Sequence, residues 1–330
     1  MSYDGKILRR AAEKYEADKA RRHQQFEARR AEMFRQIPEL EDIDRQMRST
    51  VSQIISSALR RGTDPLPAIR VIRDKNLALQ QRRAELLAQN GYDADALEEK
   101  PACVLCGDEG YRGGAMCRCL RQYYSREQIR ELSKLLDMGT ASFETFSFDW
   151  YSREPGELGI SPRDNMERNY DTCQDYAYQF GPRSGNLLLC GDPGLGKTFL
   201  SACVARVVSE NGFSVVYDTA AHVFARFEAE KFRREEGEEA GEDVHRCMNC
   251  DLLILDDLGT EMTTSFVQSA LYQIVNGRLI EGRKTIISTN LSVEEIGRRY
   301  SPQIRSRLEG EYQILPFFGE DIRPRLHAGE

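Results

Sequence analysis

One stretch constrains the fold of this chain more than any other: Gly191–Thr198 matches the pattern G-x-x-x-x-G-K-[ST] in full. It follows the apolar run 187–190 and precedes a helical pattern at 199–209, which is the strand–loop–helix setting of a phosphate-binding loop. Glycines let backbone N–H groups and the helix N-terminus face a polyphosphate. We expect Lys197 to reach the terminal phosphates and the Thr198 hydroxyl to hold Mg²⁺. The predicted nucleotide-binding residues here are Gly191, Asp192, Pro193, Gly194, Leu195, Gly196, Lys197, Thr198 and Phe199.

Two later strands are predicted to complete a catalytic centre around this loop. The apolar run Leu252–Asp257 ends in two carboxylates about sixty residues after the loop, as expected of a buried parallel strand that opens at the nucleotide. Asp256 is predicted to hold Mg²⁺ through water, and Asp257 to orient or deprotonate the attacking water. A fourth strand ends at Asn290, whose amide is predicted to position that water or to cap the next helix. The strand–helix alternation predicts an α/β domain with a parallel sheet.

The N-terminal ninety residues have a different character. Helix formers without Gly or Pro fill 6–36, and apolar residues recur at helical spacing in 47–58 and 68–89, which predicts three helices. This region holds 19 Lys and Arg against 13 Asp and Glu, although the whole chain has a net charge of −7. The helices are therefore interpreted as a small bundle or a protruding hairpin, which either packs within the chain or docks on another protein. The excess of basic residues indicates contact with nucleic acid or an acidic protein, or else an ordinary solvated helical surface.

Four cysteines lie close together in the order C-x₂-C, ten residues, C-x-C. Four thiolates on two tight turns form a closed tetrahedral set that suits structural zinc. Free thiols are the alternative. The predicted zinc ligands are Cys103, Cys106, Cys117 and Cys119. A second group, His245, Cys247 and Cys250, runs into an apolar strand and is interpreted as structural or incidental.

Composition bears on location. The chain shows no signal-peptide core and no uninterrupted apolar run near eighteen residues, so a cytoplasmic location is expected. Nine cysteines in such a chain favour metal ligands or core thiols over a disulfide framework. The aromatic stretch Ser142–Tyr151 is predicted to pack a linker onto the following domain or to line the pocket for the base. The predicted domains are a helical partner-binding region at 1–100, a zinc-binding segment at 101–136, an aromatic linker at 137–165 and an ATPase domain at 166–330.

Together these motifs resemble AAA+ ATPases, and more narrowly the DnaC/DnaI-type replicative helicase loaders and the related IstB-like transposition-helper ATPases. The resemblance rests on Gly191–Thr198, Leu252–Asp257, Thr289-Asn290, the basic run Ile304–Leu308 and the aromatic lead-in, and covers about 140–325. The four-cysteine segment after a helical region resembles the DnaI-like branch, whose zinc-bearing domain docks onto the helicase. It disfavours the transposition helpers, which generally lack it.

The resemblance implies ATP, Mg²⁺ and Zn²⁺ as cofactors and slow, assembly-dependent hydrolysis. It implies that Arg307, or else Arg305, is an arginine finger for a neighbouring subunit, and that Arg323 is a sensor at the γ-phosphate. The implied partners are a replicative helicase, further copies of the chain and single-stranded DNA. The DNA contacts considered are Arg226, Lys231, Arg233 and Arg234, with Phe224 and Phe232 interleaved.

Two departures limit the resemblance. Asp257 stands where the superfamily commonly has Glu, and about twenty-five residues after Arg305 are too few for a full helical lid. A reduced lid and slow turnover are therefore expected. The open alternatives are a transposition-helper ATPase and an adaptor that binds ATP without hydrolysing it.

Overall fold

A computed structural model of the chain describes residues 3–58, 66–136, 141–155, 159–232 and 239–324. By its internal contacts the chain divides into two compact units. The large unit comprises residues 1–12 and 118–330, and the small unit comprises residues 13–117. The domain boundaries given above stay predictions.

Three helices dominate the N-terminal part: α1 (Gly5–Gln36), α2 (Pro38–Ala58) and α3 (Leu66–Gln89). The second helix begins nine residues earlier than its pattern suggested, because proline is tolerated in the first turn of a helix, where its missing N–H has no partner to lose. Within the small unit, buried apolar side chains form one core. Its members are Met33, Ile37, Leu40, Ile43, Leu86, Leu87 and Leu97. Residues 61–65, whose glycine and proline favour a turn between α2 and α3, lie outside the described residues.

A short hairpin follows, with β1 (Tyr111–Arg112) antiparallel to β2 (Ala115–Met116). Helix α4 (Arg118–Leu136) then belongs to the large unit. Two short 3₁₀ turns, Phe143–Thr145 and Phe148–Trp150, shape the aromatic stretch.

The large unit is built on a five-stranded parallel sheet. Its strands are β3 (Asn186–Gly191), β4 (Val215–Thr219), β5 (Leu252–Leu258), β6 (Lys284–Thr289) and β7 (Tyr312–Phe317), in the order β4-β5-β6-β3-β7. The associated helices are α5 (Pro162–Tyr178), α6 (Lys197–Glu210), α7 (Ala220–Phe232), α8 (Glu239–Asn249), α9 (Ser265–Ile280), α10 (Val293–Arg299) and α11 (Pro302–Glu311). Apolar clusters cover both faces of the sheet, as a parallel sheet requires.

Two elements of the large unit differ from the sequence-based expectation. Strand β7 was not predicted, because it is an edge strand in which Gln313 and Ile314 are exposed and Pro316 breaks the apolar pattern. The charged composition of the stretch 231–243 favours an exposed loop, but Lys231 and Phe232 end α7 and residues 239–243 begin α8. Burial of Val244 and Cys247 stabilises that helix despite its charged start.

Helix α4 is tied to the sheet by one buried side chain. Gln128 is 1% exposed; its amide nitrogen donates to Ser209 Oγ and to the Phe213 carbonyl, both at 2.8 Å. Its amide oxygen accepts the Val215 N–H at 3.1 Å. The side chain thus joins α4 to the end of α6 and the start of β4.

Candidate functional site

The glycines of the 191–198 loop are required by close neighbours as well as by backbone conformation. Gly191 has φ 144°, and a Cβ there would lie 1.9 Å from the Phe317 carbonyl oxygen of the adjacent strand. Gly194 has φ 75°, and a Cβ there would meet the Asp321 carboxylate at 1.8 Å. The segment after β7 therefore passes directly over the loop, and Ile322 N–H donates to the Gly194 carbonyl at 3.1 Å.

Lys197 is the buried cation of this loop. Its ammonium donates to the carbonyls of Gly191 and Asp192 at 2.6 and 2.7 Å and to Asn290 Oδ1 at 2.8 Å. Burial lowers its pKa, while the charge of Asp257 opposes that shift. The side chain of the loop lysine thus contacts the Asn that follows β6.

Asp256 lies at the centre of a set of hydroxyl groups. The Thr198 hydroxyl donates to Asp256 Oδ1 at 3.3 Å, and the Ser288 hydroxyl also donates to Oδ1. The Tyr217 hydroxyl donates to Oδ2 at 2.8 Å. A threonine hydroxyl beside a carboxylate oxygen is a donor set of hard oxygens, which fits Mg²⁺. Burial and then Asp256 raise the pKa of Tyr217 well above its ordinary value, so that phenol stays a donor.

Asp257 is turned into the site by an irregularity at the end of β5. The pairing of β5 with β6 shifts register between Leu255 and Leu258, and Asp257 has φ 54°, in the left-handed region. Its N–H donates to Ser288 Oγ at 2.9 Å. Burial, followed by the charge of Asp256, raises the pKa of Asp257.

One cavity of about 570 Å³ is lined by Lys197, Thr198, Asp257 and Asn290 together with the aromatic stretch. Its lining includes the loop from Pro193 to Phe199 together with Ala141, Thr145, Phe146, Ser147, Trp150, Tyr151, Ala202, Asp257, Asn290, Ile322 and Arg323. Tyr151 OH donates to the Leu195 carbonyl at 3.2 Å, and the rings of Phe146 and Phe199 lie 5.6 Å apart. The aromatic stretch therefore both packs against the domain and lines the cavity, the two options that the sequence left open.

The three candidate arginines have different surroundings. Arg305 Nε donates to Glu309 at 2.8 Å, whereas Arg307 is exposed and, within the described part of the chain, has no ion-pair partner. Arg323 lines the cavity and pairs with Asp321 at 3.0 Å.

The structure does not bring together the basic and aromatic residues that were considered for DNA contacts. Phe224 is 3% exposed and packs in the core, so its ring cannot stack on a base. Arg226 pairs with the buried Asp218 at 2.7 Å, and Lys231 lies over the Phe266 ring. Arg233 and Arg234 lie outside the described residues.

The four predicted zinc ligands do converge. The sulfur atoms of Cys103, Cys106, Cys117 and Cys119 all lie within 4.8 Å of one another. Those of Cys103 and Cys117 are 3.7 Å apart, and a tetrahedral zinc with bonds of about 2.3 Å requires roughly 3.8 Å between its sulfurs. The set therefore fits zinc. Asp108 supports it, because its carboxylate accepts the N–H groups of Ala102 and Cys103.

Sequence motifs missed three supporting residues: Tyr217, Ser288 and Asp108. The first two lie in β4 and β6, where a polar side chain inside an otherwise apolar parallel strand is a usable signal. Cys247 and Cys250 are buried in the core, as their interpretation as structural thiols predicted.

The parallel sheet, the phosphate loop and the acidic strand end together define a nucleotide-binding domain of the P-loop fold. In the described part of the chain, no helix is long and apolar enough to span a membrane.

Comparisons with known proteins agree with this class. Residues 172–303 match the family model of the IstB-like ATP binding protein. Two replicative helicase loaders DnaC, from Buchnera aphidicola subsp. Baizongia pistaciae (strain Bp) and from Escherichia coli (strain K12), are 23% and 25% identical to this chain over 158 residues. Each match covers 48% of this chain and 64% of the relative, so just under two thirds of those proteins is represented. A crystal structure of the DnaC helicase loader gives a TM-score of 0.43 at 21% identity, over 54% of this chain and 97% of that one. The family model and the two curated relatives confirm the resemblance to DnaC-type loaders, and the parallel sheet with its phosphate loop confirms the predicted α/β P-loop fold.

Proposed function

We propose that this chain is an ATPase that loads a replicative DNA helicase onto single-stranded DNA, with ATP binding and hydrolysis as the switch for assembly and release. The observation that carries the ATPase part is the meeting of Lys197, Asp257 and Asn290 in one cavity. The loader part rests on the similarity to proteins named replicative helicase loader DnaC.

Each side chain has a role that follows from its position. Lys197 holds the terminal phosphates; Thr198 and Asp256 would hold Mg²⁺, which would supply charge neutralisation at the phosphoryl oxygens. Asp257, with its raised pKa, accepts a proton from the attacking water, and Asn290 orients that water. Arg323 leaves Asp321 to contact the γ-phosphate.

A neighbouring chain completes the site. Arg307 is the better finger, because it is exposed and has no ion-pair partner in the described residues, whereas Arg305 is held by Glu309. Such a charge stabilises the transition state only after assembly.

Turnover of ATP tests the switch. Wild type and Asp257→Asn are compared with and without single-stranded DNA and helicase; turnover is expected in the wild type and loss of at least a hundredfold in the variant. Wild-type binding of ATP without turnover in any condition would instead establish the adaptor alternative.

Mixing two inactive variants tests the finger. Arg307→Ala lacks a finger but binds ATP, and Lys197→Ala lacks the binding lysine but carries a finger. The mixture is expected to regain turnover, while a mixture of Arg305→Ala with Lys197→Ala is expected to add nothing beyond Arg305→Ala alone. Failure of the first mixture to recover activity would mean that Arg307 does not act on a neighbour.

The cysteine-rich segment is proposed to grip the helicase. Val104, between two of the cysteines, is 88% exposed, and Leu105 is 47% exposed. Val104→Ser in the full chain is expected to weaken helicase capture while zinc content stays unchanged. Ile280→Ser, which alters a side chain 75% exposed in the large unit, is the matched control. Equal capture by both variants would exclude this surface.

The IstB-like family model keeps one alternative open: a transposition helper that acts with a transposase on duplex DNA. Capture of a transposase rather than a replicative helicase by the full chain would favour it.

A further inference from the structure

The Asp256 carboxylate has a buried partner that none of the sequence motifs contains. Tyr217 on β4 is 1% exposed, and its hydroxyl donates to Asp256 Oδ2 at 2.8 Å. In the parallel pairing of β4 with β5, Thr219 lies opposite Asp256. Tyr217 is two residues before Thr219 on the same face, so its long side chain reaches the carboxylate diagonally.

The other oxygen of that carboxylate is held from the opposite side. Ser288 on β6 and Thr198 at the start of α6 both donate to Oδ1. Rotation of an aspartate carboxylate about its last bond is otherwise only weakly restricted. Donors from the two flanking strands therefore fix its plane, with Oδ2 committed to Tyr217 and Oδ1 directed to Thr198.

Burial makes this arrangement consequential. Asp256 is 3% exposed and Ser288 is fully buried, so bulk water cannot readily replace a missing donor. A phenol is well suited to the place, because it is large enough to span the strands and keeps its proton beside an anion.

We propose that Tyr217 is a positioning residue for the Mg²⁺-dependent use of nucleotide: its hydroxyl holds the Asp256 carboxylate so that Oδ1 faces Thr198. The inference rests on the proposed function, since it concerns the same nucleotide site. It adds a residue that acts through Asp256 and touches neither nucleotide nor metal.

Mg²⁺ titrations of nucleotide binding test the proposal without requiring turnover. Binding of a fluorescent ATP analogue is measured in EDTA and then at increasing Mg²⁺ for wild type, Tyr217→Phe and Tyr312→Phe. Tyr312, at the start of β7, is 6% exposed and controls for loss of a buried hydroxyl elsewhere in the sheet.

Tyr217→Phe is expected to leave binding in EDTA unchanged and to raise the Mg²⁺ concentration for half-maximal binding about tenfold, the size expected for one hydrogen bond to a charged group. Tyr312→Phe should titrate like wild type. Tyr217→Phe titrating like wild type would overturn the proposal, as would an equal shift in both variants.

The Asp256→Asn variant tests whether Tyr217 acts through Asp256. In Asp256→Asn, adding Tyr217→Phe is expected to produce no further shift, and a further tenfold shift would mean that the tyrosine does not act through Asp256. If Tyr217→Phe does not fold, Ser288→Ala replaces it at the other oxygen. An unchanged Mg²⁺ titration there would refute control by carboxylate orientation. If the wild type binds Mg²⁺ and nucleotide but shows no turnover, the proposed ATP hydrolysis is wrong. The Mg²⁺ titration then still decides whether Tyr217 positions Asp256.

Discussion

Replacement of Gln128 by Ala is expected to destabilise the large unit by about 3 kcal/mol. The side chain makes three hydrogen bonds, to Ser209, Phe213 and Val215. Its loss leaves the Val215 N–H and the Phe213 carbonyl without their partner in a buried setting, and each such group costs about 1–3 kcal/mol. For a unit of this size the midpoint of thermal unfolding should fall by about 6–12 °C.

The chain contains one tryptophan, Trp150, which lies in the large unit at the nucleotide cavity. Its fluorescence therefore reports unfolding of that unit within the full chain, in urea or on heating. Gln122→Ala is the matched control, because Gln122 is an exposed residue of the same type on the same helix. The control should change stability by less than about 0.5 kcal/mol. If the two variants have the same unfolding midpoint, α4 is not anchored to the sheet in the way described.

Three further predictions concern the sites. Lys197→Ala is expected to lower ATP affinity and to abolish nucleotide-dependent assembly, while helicase capture by the full chain persists. Size-exclusion chromatography measures the assembly and a pull-down measures the capture. Loss of capture would contradict the separation of nucleotide binding from helicase binding. The acid limb of the pH–rate profile should lie above the usual range of an aspartate, because burial raises the pKa of Asp257. Arg323→Ala should move this acid limb to still higher pH, because it removes a cation that lowers the pKa of Asp257. Metal analysis should give one zinc per chain, with strong loss in Cys103→Ser and none in Cys173→Ala, a change of a buried cysteine outside the cluster.

Linkage gives the pH prediction a second readout. The raised folded-state pKa of Asp257 contributes stability that is present at low pH and is lost as pH rises through that pKa. Asp257→Asn should therefore unfold at a higher midpoint than wild type at neutral pH, since Asn also tolerates the left-handed backbone found there. A lower midpoint for the variant would contradict this account of the residue.

Part of this protein can be predicted from the sequence alone, because the chemistry of some motifs depends only on neighbouring residues. Gly191–Thr198 requires a fixed order of glycines, a lysine and a hydroxyl, and Leu252–Asp257 requires an apolar strand with acids at its end, so both motifs are visible without a fold. The spacing of four cysteines likewise indicated a metal set whose sulfur atoms the folded chain brings together. The helices 5–36 and 66–89 follow from composition and periodicity over long windows.

Tertiary structure decided what depends on contacts between distant segments. Edge strand β7 could not be recognised from its own broken pattern, yet its carbonyl at Phe317 is what demands glycine at position 191. The left-handed turn at Asp257 comes from a register shift against β6, which no local pattern encodes. Phe224 is aromatic and lies among charged residues in the sequence, which favoured a contact with DNA, but the fold buries it in the core. Tyr217 is the opposite case, a residue whose contact the sequence does not reveal. It is an ordinary strand tyrosine in the sequence, and it becomes a partner of Asp256 only because parallel pairing places the two strands side by side.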